Sequence, residues 1–518
     1  LYLELSSQNE QPSVSLHTSI SLFLLSYCEC TSEVFLVSAN IVVNEYMSTT
    51  LLLRQVPKSL AVSMVHVKDL PVLVRGCRLP AVLDETGRYC RAGLAVVLRH
   101  IIDRTCEADP RRKDAASLLG FKKTCLKACA EVSQWTRLCE LSIPSAVEAH
   151  LRQPTNPSLH LPSALLNLQK TLGEPVKVHN DDKIRTDINQ PQDSQSADGL
   201  ELRAALAKLY VDSGAVPSTT NRERSDIRKV KTTELEHVFA EGLYFTLTDV
   251  VLLPCIHQYL VRKAIGGYLL VVCLKGSYTT FLFTESSALS AGKVSDVRAA
   301  RKRQQLNNLV AMVTELAGPG DTVEDFCSGG GHVGIILAHT LPDCQVILIE
   351  NKEESLVRGK VRSAELGLTN IGFIQANLDY FTGPFHIGVA LHACGVVTDM
   401  VVEQCIQAGA TFVVSPCCYG FVQNTLRFTF PRSKRFLETL SYKEHTILCR
   451  FADQTAVQLP SERRLIGKQC MGLVDLDRSW AAETHVYSVR VMTMEPDSCS
   501  PKKNMLVGVA GGDNYATQ

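Results

Sequence analysis

The chain has 518 residues and a mass of 57.0 kDa, which is enough for roughly two to four domains that each bury a core. Hydrophobic residues make up 45% of it and charged residues 20%, close to the globular average, so the composition excludes a largely disordered or fibrous protein. The formal net charge is +0, so no overall field attracts nucleic acid or membrane, and nucleic-acid binding would need a local basic patch.

Cysteine usage and the apolar stretches predict a protein of a reducing compartment. The 19 cysteines are spread over a long chain, whereas a secreted disulfide scaffold is short and dense in cysteine. The apolar stretch 19–28 lacks the basic region and cleavage site of a signal peptide, and 268–283 is too short and too interrupted to span a bilayer. We therefore expect a cytoplasmic protein without membrane association. Because the sequence begins with Leu1 rather than Met, we also expect its natural start to lie upstream.

Composition divides the N-terminal half into four parts. Residues 1 to about 153 are apolar, and the segment of about 154–231 is rich in Pro, Asn, Asp, Gln and Ser, which predicts a disordered insertion. A helical block follows at 235–260. Gly-interrupted apolar sequence then predicts a linker of uncertain structure at 263–292.

Residues 293–510 alternate short apolar strands with amphipathic helices. Strands are predicted at 323–326, 345–349, 371–375, 387–391 and 411–415, and helices at 332–341 and 352–366. Such alternation predicts a doubly wound, mostly parallel sheet covered on both faces. Two further strands at 486–494 and 504–510 flank a turn, so we expect a terminal hairpin that adds an antiparallel edge strand.

The motif VEDFCSGGGHVG (323–334) carries the clearest chemistry. It follows a strand and opens a helix, and Gly329, Gly330 and Gly331 let the backbone approach a ligand closely. Asp325 before the turn suits a cationic or amine-bearing ligand, and Glu350 at the end of the next strand can accept both hydroxyls of a ribose. Together they predict S-adenosylmethionine (SAM) binding, with a dinucleotide site and a vestigial site as alternatives.

This block resembles class I SAM-dependent methyltransferases, which carry an Asp-x-Gly-x-Gly-x-Gly turn after their first strand. The match falls on Asp325, Cys327, Gly329 and Gly331. Cys327 replaces the first glycine of the family. The resemblance implies that residues after the third strand contact the adenine; the candidates are Asn377, Leu378 and Asp379. An ordinary strand-end turn is the alternative for these three.

Two further strand ends, LHACG (391–395) and SPCCYG (415–420), open on the same predicted crevice. The candidates for catalysis or acceptor contact are His392, Cys394, Cys417, Cys418 and Tyr419. His392 is suited to act as a general base. A zinc site of His392 and three cysteines is an alternative, but adjacent cysteines strain one tetrahedral site, so we expect no metal; packing is the third alternative. Both strand ends also resemble a subgroup that includes RNA 2′-O-methyltransferases.

The N-terminal half resembles glutathione S-transferases (GSTs), whose first domain is thioredoxin-like and whose second is helical. Pro80, before a strand, matches their cis-proline, and Thr246 with Asp249 matches the capping box of their second domain. Where the family holds glutathione with an acidic-Ser pair, this chain reads Cys90-Arg91. We therefore expect no glutathione binding of the usual kind.

These resemblances imply an α/β protein in which a GST-like region precedes a Rossmann-like methyltransferase domain. The expected regions are a degenerate thioredoxin-like region (1–105), a helical GST-like domain (106–262) and the methyltransferase-like domain (293–510). The leading function is SAM-dependent methyl transfer to an unidentified acceptor. RNA is favoured as that acceptor, with local basic residues at Arg432, Lys434, Arg435, Arg463, Arg464 and Lys468. The alternatives are a non-catalytic scaffold that docks a protein partner through the GST-like region and, third, a glutathione transferase.

Overall fold

A computed structural model describes residues 1–8, 11–30, 32–38, 60–119, 137–152, 163–174, 240, 246–264, 296–425 and 427–511. The chain forms two compact units: Leu1–Arg111 with Phe283–Gln518, and Arg112–Leu282. Most of the predicted insertion at about 154–231 and of the predicted linker at 263–292 lies outside the described residues. Among the described residues, no helix has the length and apolar character needed to cross a membrane.

The N-terminal part of the first unit is a small α/β region. Its strands are β1 (Tyr2–Gln8), β2 (Gln11–Val14), β3 (Glu33–Ser38), β4 (Ala61–His66), β5 (Ala81–Leu83) and β6 (Tyr89–Ala92). Its helices are α1 (Leu16–Tyr27), α2 (Val72–Arg75) and α3 (Leu94–Ala108). The peptide bond between Leu79 and Pro80, just before β5, is cis.

The second unit is helical in its described residues. It contains α4 (Lys113–Ser117), a π-helical turn (Leu138–Ser142), α5 (Ile143–Arg152), α6 (Ser163–Leu172) and α7 (Leu247–Ala264). The Asp249 carboxylate accepts hydrogen bonds from the main-chain N–H groups of Thr246 (2.8 Å) and Ala240 (2.8 Å). The bond from Thr246 satisfies a donor at the start of α7, which is the role that the Thr246–Asp249 spacing predicts.

The C-terminal part of the first unit alternates strands and helices as predicted. Its strands are β7 (Thr322–Phe326), β8 (Gln345–Glu350), β9 (Ile371–Gln375), β10 (Ile387–Cys394), β11 (Thr411–Cys417), β12 (Tyr487–Thr493) and β13 (Asn504–Ala510). Its helices are α8 (Asp296–Leu316), α9 (His332–Thr340), α10 (Glu353–Glu365), α11 (Val397–Ala408), α12 (Lys434–Thr439), α13 (Tyr442–Ala452) and α14 (Ser461–Glu483).

The C-terminal strands are ordered β12-β13-β11-β10-β7-β8-β9. β7 lies between β8 and β10, and all three are parallel. β13 pairs antiparallel with both β11 and β12, so the expected hairpin adds the antiparallel edge. The predicted α/β class and the mostly parallel sheet are confirmed. Since the chain runs outward from β7 in both directions, the sheet has a switch point between β7 and β10.

The same sheet continues into the N-terminal part in the order β9-β6-β5-β1-β3-β4. β6 pairs in parallel with β9, with Tyr89 opposite Phe373 and Arg91 opposite Gln375. Tyr89 is buried in the same hydrophobic cluster as Phe373, and Arg91 forms an ion pair of 2.7 Å with Glu353 in α10. Regions 1–105 and 293–510, which the sequence predicts as separate domains, therefore share one sheet in the structure.

The Cys90-Arg91 pair, which stands where GSTs hold glutathione, does not lie at the start of α3. Cys90 and Arg91 lie within β6, and the residue that precedes α3 is Gly93, with φ 102°. The pair at the helix start is therefore Ala92-Gly93, and neither side chain offers a carboxylate or a hydroxyl to a ligand. The register differs because the strand of this region extends to Ala92.

Candidate functional site

The candidate site lies at the carboxyl ends of the central strands, next to the switch point between β7 and β10. Neighbouring connections leave in opposite directions there, which opens a crevice beside the strand ends in sheets of this type. The turn after β7, the end of β8 and the ends of β10 and β11 meet at this edge of the sheet. The sequence-predicted side chains of these segments are therefore brought to one side of the molecule, with the exception of Tyr419.

The glycine turn between β7 and α9 has the backbone that its sequence predicts. Gly329 and Gly331 have φ values of 55° and 74°, in the left-handed region. A Cβ at Gly331 would lie 2.6 Å from a methyl carbon of Leu348, and a Cβ at Gly334 would lie 2.5 Å from the same side chain. A side chain at either position would force the buried Leu348 to shift, because the chain passes tightly over β8 before α9 begins.

Cys327 occupies the position of the missing first glycine and adopts a glycine-like backbone. Its φ of 54° is uncommon for a residue with a Cβ. Burial raises the pKa of its thiol to about 12, and the negative charges of Glu350 and Asp325 contribute. The thiol therefore stays neutral at physiological pH, and the turn keeps its shape despite the substitution.

Asp325 is buried under the turn. Its Oδ2 accepts a hydrogen bond of 2.9 Å from the main-chain N–H of Gly334, in the first turn of α9. Burial raises the pKa of this carboxyl to about 7; the Gly334 hydrogen bond lowers it and the charge of Glu350 raises it. A nearby cation would favour the ionised form of this carboxyl.

Glu350 at the end of β8 holds three main-chain groups. Its Oε2 accepts from Gly329 (2.9 Å), and its Oε1 accepts from Asn351 (3.0 Å) and Lys352 (2.9 Å). The carboxylate thus joins the glycine turn to the loop before α10. Its position at the strand end, half-exposed, is the one that the sequence predicts for a ribose-binding acid.

The three candidates after β9 lie in a short 3₁₀ turn, Leu378–Tyr380. Asn377 Oδ1 accepts from Asn351 Nδ2 at 3.2 Å, which places it beside the Glu350 loop. Leu378 is buried. Asp379 forms an ion pair of 3.2 Å with Arg427, which also pairs with Glu403. Asn377 is therefore the member of this trio whose contacts connect it with the glycine turn.

His392 lies at a bulge near the end of β10. Leu391 and Ala393 pair with successive residues of β11, so His392 has no partner in the register, and its φ is 66°. A bulge of this kind re-aims a side chain at the edge of a sheet. Its Nε2 lies 2.9 Å from Oε1 of Gln305 in α8. Desolvation lowers the pKa of the ring, and the charges of Lys302 and Lys502 lower it further.

Three thiols lie together beside His392. Cys394 Sγ is 3.2 Å from Cys417 Sγ, and Cys417 Sγ is 3.6 Å from Cys418 Sγ. A hydrogen bond from Cys417 is the main cause that lowers the pKa of Cys394 to about 6, with help from Cys418 and Lys502 and against the effect of burial. The pKa of Cys417 is raised, chiefly because it donates that hydrogen bond. Cys394 is therefore the thiol of this group that ionises first.

Tyr419 lies apart from the crevice, although the sequence groups it with these thiols. Its ring is fully buried, and its hydroxyl donates to Oδ2 of Asp475 in α14 at 2.7 Å. Its main-chain N–H donates to Oδ1 of Asp453 at 2.9 Å. The chain turns into the protein after Cys418. These contacts therefore make Tyr419 a core residue that anchors the end of β11 against α14.

Several polar residues of the crevice are not predicted by the sequence. Lys302 and Gln305 come from α8, before β7, and Lys502 comes from the turn between β12 and β13, where it pairs with Asp453. The buried hydroxyl oxygen of Ser328, within the glycine turn, has no hydrogen-bond partner among the described residues. The run RKRQQ (301–305) and the Lys-Lys pair at 502–503 were the available signals. Neither shows by itself which face of the protein it will reach.

Comparisons with known proteins find similarity to methyltransferases in the C-terminal part of the chain. The family model described as a methyltransferase domain matches residues 301–425, which include the glycine turn and the ends of β8 to β11. Among solved structures, the chain is similar to a magnesium protoporphyrin IX methyltransferase from Synechocystis (16% identity, 43% of this chain and 90% of that chain, TM-score 0.25). A SAM-dependent methyltransferase from Aquifex aeolicus is also similar (14% identity, 41% and 96%, TM-score 0.25).

Relatives are similar over almost the whole chain. A glutathione S-transferase C-terminal domain-containing protein from Xenopus laevis is 52% identical over 96% of this chain and 98% of its own length. The human protein of that name is 48% identical over 98% of both chains, and a Drosophila melanogaster homologue is 31% identical over the same shares. The chain therefore belongs to the family of glutathione S-transferase C-terminal domain-containing proteins.

Proposed function

We propose that this protein is a SAM-dependent methyltransferase. The observation that carries the proposal is the meeting of two half-sites at one edge of the sheet. A glycine turn flanked by Asp325 and Glu350 forms the first, and His392 at its bulge forms the second. The match of residues 301–425 to a methyltransferase domain supports the same conclusion.

The residues of the first half-site fit the cofactor. Gly329 and Gly331 let the backbone approach it, and the Glu350 carboxylate has the chemistry to accept ribose hydroxyls. The Ser328 hydroxyl is a buried polar atom without a partner in the turn, which suits a ligand with hydrogen-bonding groups. Asp325 offers a negative charge to the positively charged end, and Asn377, Leu378 and Asp379 are proposed for the adenine. SAM supplies an electrophilic methyl group on its sulfonium.

His392 has the tautomer that a general base needs. Gln305 Nε2 donates to the main-chain oxygen of Cys499 at 2.7 Å, so its Oε1 faces His392 as an acceptor. His392 Nε2 must therefore carry the proton of that hydrogen bond, which leaves Nδ1 with a free lone pair. The lowered pKa keeps the ring neutral, so Nδ1 can take a proton from the hydroxyl or amine of the acceptor. The acceptor loses this proton as its oxygen or nitrogen attacks the methyl group.

We propose RNA as the acceptor. Lys302 and Lys502 place positive charge beside His392, which favours a substrate with phosphate groups. Exposed basic residues follow on α12 and α14, and the Arg435 guanidinium lies 4.6 Å from the centre of the Trp480 ring. The thiols of Cys394, Cys417 and Cys418 then form the wall beside the acceptor.

The N-terminal half acts, in this proposal, as a GST-like module without transferase activity. Arg91 is engaged by Glu353, and the start of α3 offers neither a hydroxyl nor a carboxylate to glutathione. We propose that this module docks a protein partner. We propose a cytoplasmic location, which fits the free thiols of Cys394, Cys417 and Cys418.

The experiment uses the full-length protein. Calorimetric titration with SAM is expected to show one saturable site, and titration with glutathione is expected to show none. Tritiated SAM is then incubated with total cellular RNA and, separately, with total protein, and label is expected in RNA. SAM binding with label only in protein would overturn the acceptor assignment. Absence of SAM binding would overturn the methyltransferase proposal in favour of a scaffold, and saturable turnover of glutathione would revive a glutathione transferase.

A further inference from the structure

Three cysteine thiols converge at the carboxyl ends of β10 and β11, and the proton transfer proposed above uses none of them. The sulfur atoms of Cys394, Cys417 and Cys418 all lie within 4.8 Å of one another. Cys394 is exposed, Cys417 is buried and Cys418 is half-buried. The cluster is therefore anchored in the protein and open on one side.

The backbone brings the three thiols to one side in two ways. Cys394 and Cys417 are paired in register on neighbouring parallel strands. Successive side chains of a strand point to opposite faces, so a regular strand would turn Cys418 away from Cys417. Cys418 instead has a left-handed backbone, with φ 50°, and its sulfur lies 3.6 Å from that of Cys417. An uncommon conformation for a residue with a Cβ thus adds a third thiol to the pair.

The spacing of the sulfurs suits a tetrahedral metal ion. Zn–S bonds of about 2.3 Å separate neighbouring sulfurs by about 3.8 Å. The separations of 3.2 and 3.6 Å would open by a few tenths of an ångström when the protons are replaced by an ion. A disulfide would join two of the three sulfurs and would give no role to the third sulfur, which is held beside them.

The surrounding charge also suits a cation held by thiolates. Three thiolates and one divalent cation carry a net charge of −1. The ammonium of Lys502, held in place by Asp453, lies close enough to act on both Cys394 and Cys418. Its positive charge offsets the excess negative charge of the complex.

His392 is not a member of this cluster. Its Nε2 is engaged by Gln305, and the metal-ligand group found among the described residues contains the three cysteines alone. A site with three protein ligands leaves the fourth tetrahedral position open, which is the arrangement of zinc sites that also bind a water or substrate. Soft thiolate ligands favour zinc over magnesium or calcium.

We propose that Cys394, Cys417 and Cys418 bind one Zn²⁺ ion through three thiolates, with the fourth position open to water or a ligand molecule. The ligand set differs from the one that the sequence suggests, because it excludes His392. It also replaces the expectation that the chain binds no metal.

The test measures metal content of the untagged full-length protein, purified under reducing conditions and washed with a mild chelator. Mass spectrometry of the metal is expected to find about one zinc per chain, and Cys394→Ser and Cys418→Ser are expected to lower it at least tenfold. Cys470→Ser, at a half-buried cysteine outside the cluster, is the matched control and should keep the zinc. His392→Ala should also keep it. Loss of zinc in His392→Ala, or equal zinc in all variants, would overturn the ligand set.

A second measurement does not depend on the variants. The protein is stripped of metal, and the labelling rate of Cys394 by a maleimide is followed by peptide mass spectrometry with and without one equivalent of Zn²⁺. Zinc is expected to slow this labelling at least tenfold and to leave the labelling of Cys470, outside the cluster, unaffected. Unchanged labelling, or a non-reduced mass two daltons low with Cys394 linked to Cys417, would overturn the proposal.

Discussion

The main-chain N–H of Gly329 donates a hydrogen bond of 2.9 Å to Oε2 of Glu350. This contact joins the glycine turn after β7 to the end of β8 across 21 residues of sequence. The residue proposed to bind the ribose therefore also holds the turn that receives the rest of the cofactor. Loss of Glu350 should weaken both parts of the site.

Glu350→Ala is expected to weaken SAM binding roughly ten- to hundredfold, because hydrogen bonds to a charged group contribute about 1.5–3 kcal/mol. Calorimetric titration with SAM gives the affinity. Glu354→Ala is the matched control, since Glu354 lies exposed in the first turn of α10, four residues further along. Equal affinity in Glu350→Ala and Glu354→Ala would remove Glu350 from the cofactor site.

Cys327→Gly is expected to stabilise the protein relative to Cys327→Ala by about 1 kcal/mol. Both variants remove the thiol, but only glycine adopts a φ of 54° without the cost of a Cβ in the left-handed region. Urea unfolding of the two variants measures the difference. SAM affinity of the glycine variant should equal or exceed that of the natural protein. An alanine variant as stable as the glycine variant would show that the turn relaxes without strain.

His392→Ala is expected to keep SAM affinity and to slow methyl transfer by roughly 10²–10⁴, the usual contribution of a general base. Gln305→Ala should slow transfer less, because it removes the group that fixes the His392 tautomer rather than the base itself. His339→Ala, an exposed histidine in α9, serves as the control. The assay is label transfer from tritiated SAM. Full-rate transfer by His392→Ala would exclude the ring from the chemistry.

The sequence predicts the turn and the parallel strands well because their residues have few alternatives. Gly331 has a left-handed backbone that favours glycine, and the short apolar runs of β7 to β11 alternate with helices of ordinary length. The junction of β6 with β9 has no such signal. It pairs residues 284 positions apart, such as Tyr89 with Phe373, and β6 has only four residues. Long-range pairing of so short a strand depends on tertiary contacts rather than on its own pattern.

The same limit explains why the sequence wrongly groups Tyr419 with the residues of the crevice. A strand-end pattern shows where a strand stops, but the direction of the chain beyond it depends on partners far along the sequence. The partner of the Tyr419 hydroxyl is Asp475, 56 residues away in α14. The sequence does not predict the position of Lys502 for a similar reason, since its turn reaches the crevice only when β13 pairs with β11.

Reversal of the Arg91–Glu353 pair tests the shared sheet. Arg91→Glu places two carboxylates side by side at the β6–α10 contact and is expected to destabilise the protein by about 1–2 kcal/mol, with partial recovery when Glu353→Arg is added. Arg111→Glu, at a highly exposed residue, is the control. Thermal unfolding should remain a single transition for the first unit. No recovery in the double variant would show that the pair does not join the two parts in solution.

The pKa of Asp325 is raised from 3.8 to about 7, mainly by burial. Between these values the unfolded chain has released the proton while the folded protein keeps it, so stability falls as pH rises through this window, by at most about 1.4 kcal/mol per pH unit. Asp325→Asn should flatten that slope, and Asp343→Asn, at an exposed aspartate, should not.

A cationic ligand reverses this preference, since it stabilises the ionised carboxylate. SAM binding near pH 7 is therefore expected to release a fraction of a proton, and affinity should rise from pH 6 to pH 8. Calorimetry in two buffers of different ionisation enthalpy measures the released proton, and Asp325→Asn should abolish the release. Equal heats in both buffers for the natural protein would mean that the Asp325 carboxyl does not respond to the positive charge of the cofactor.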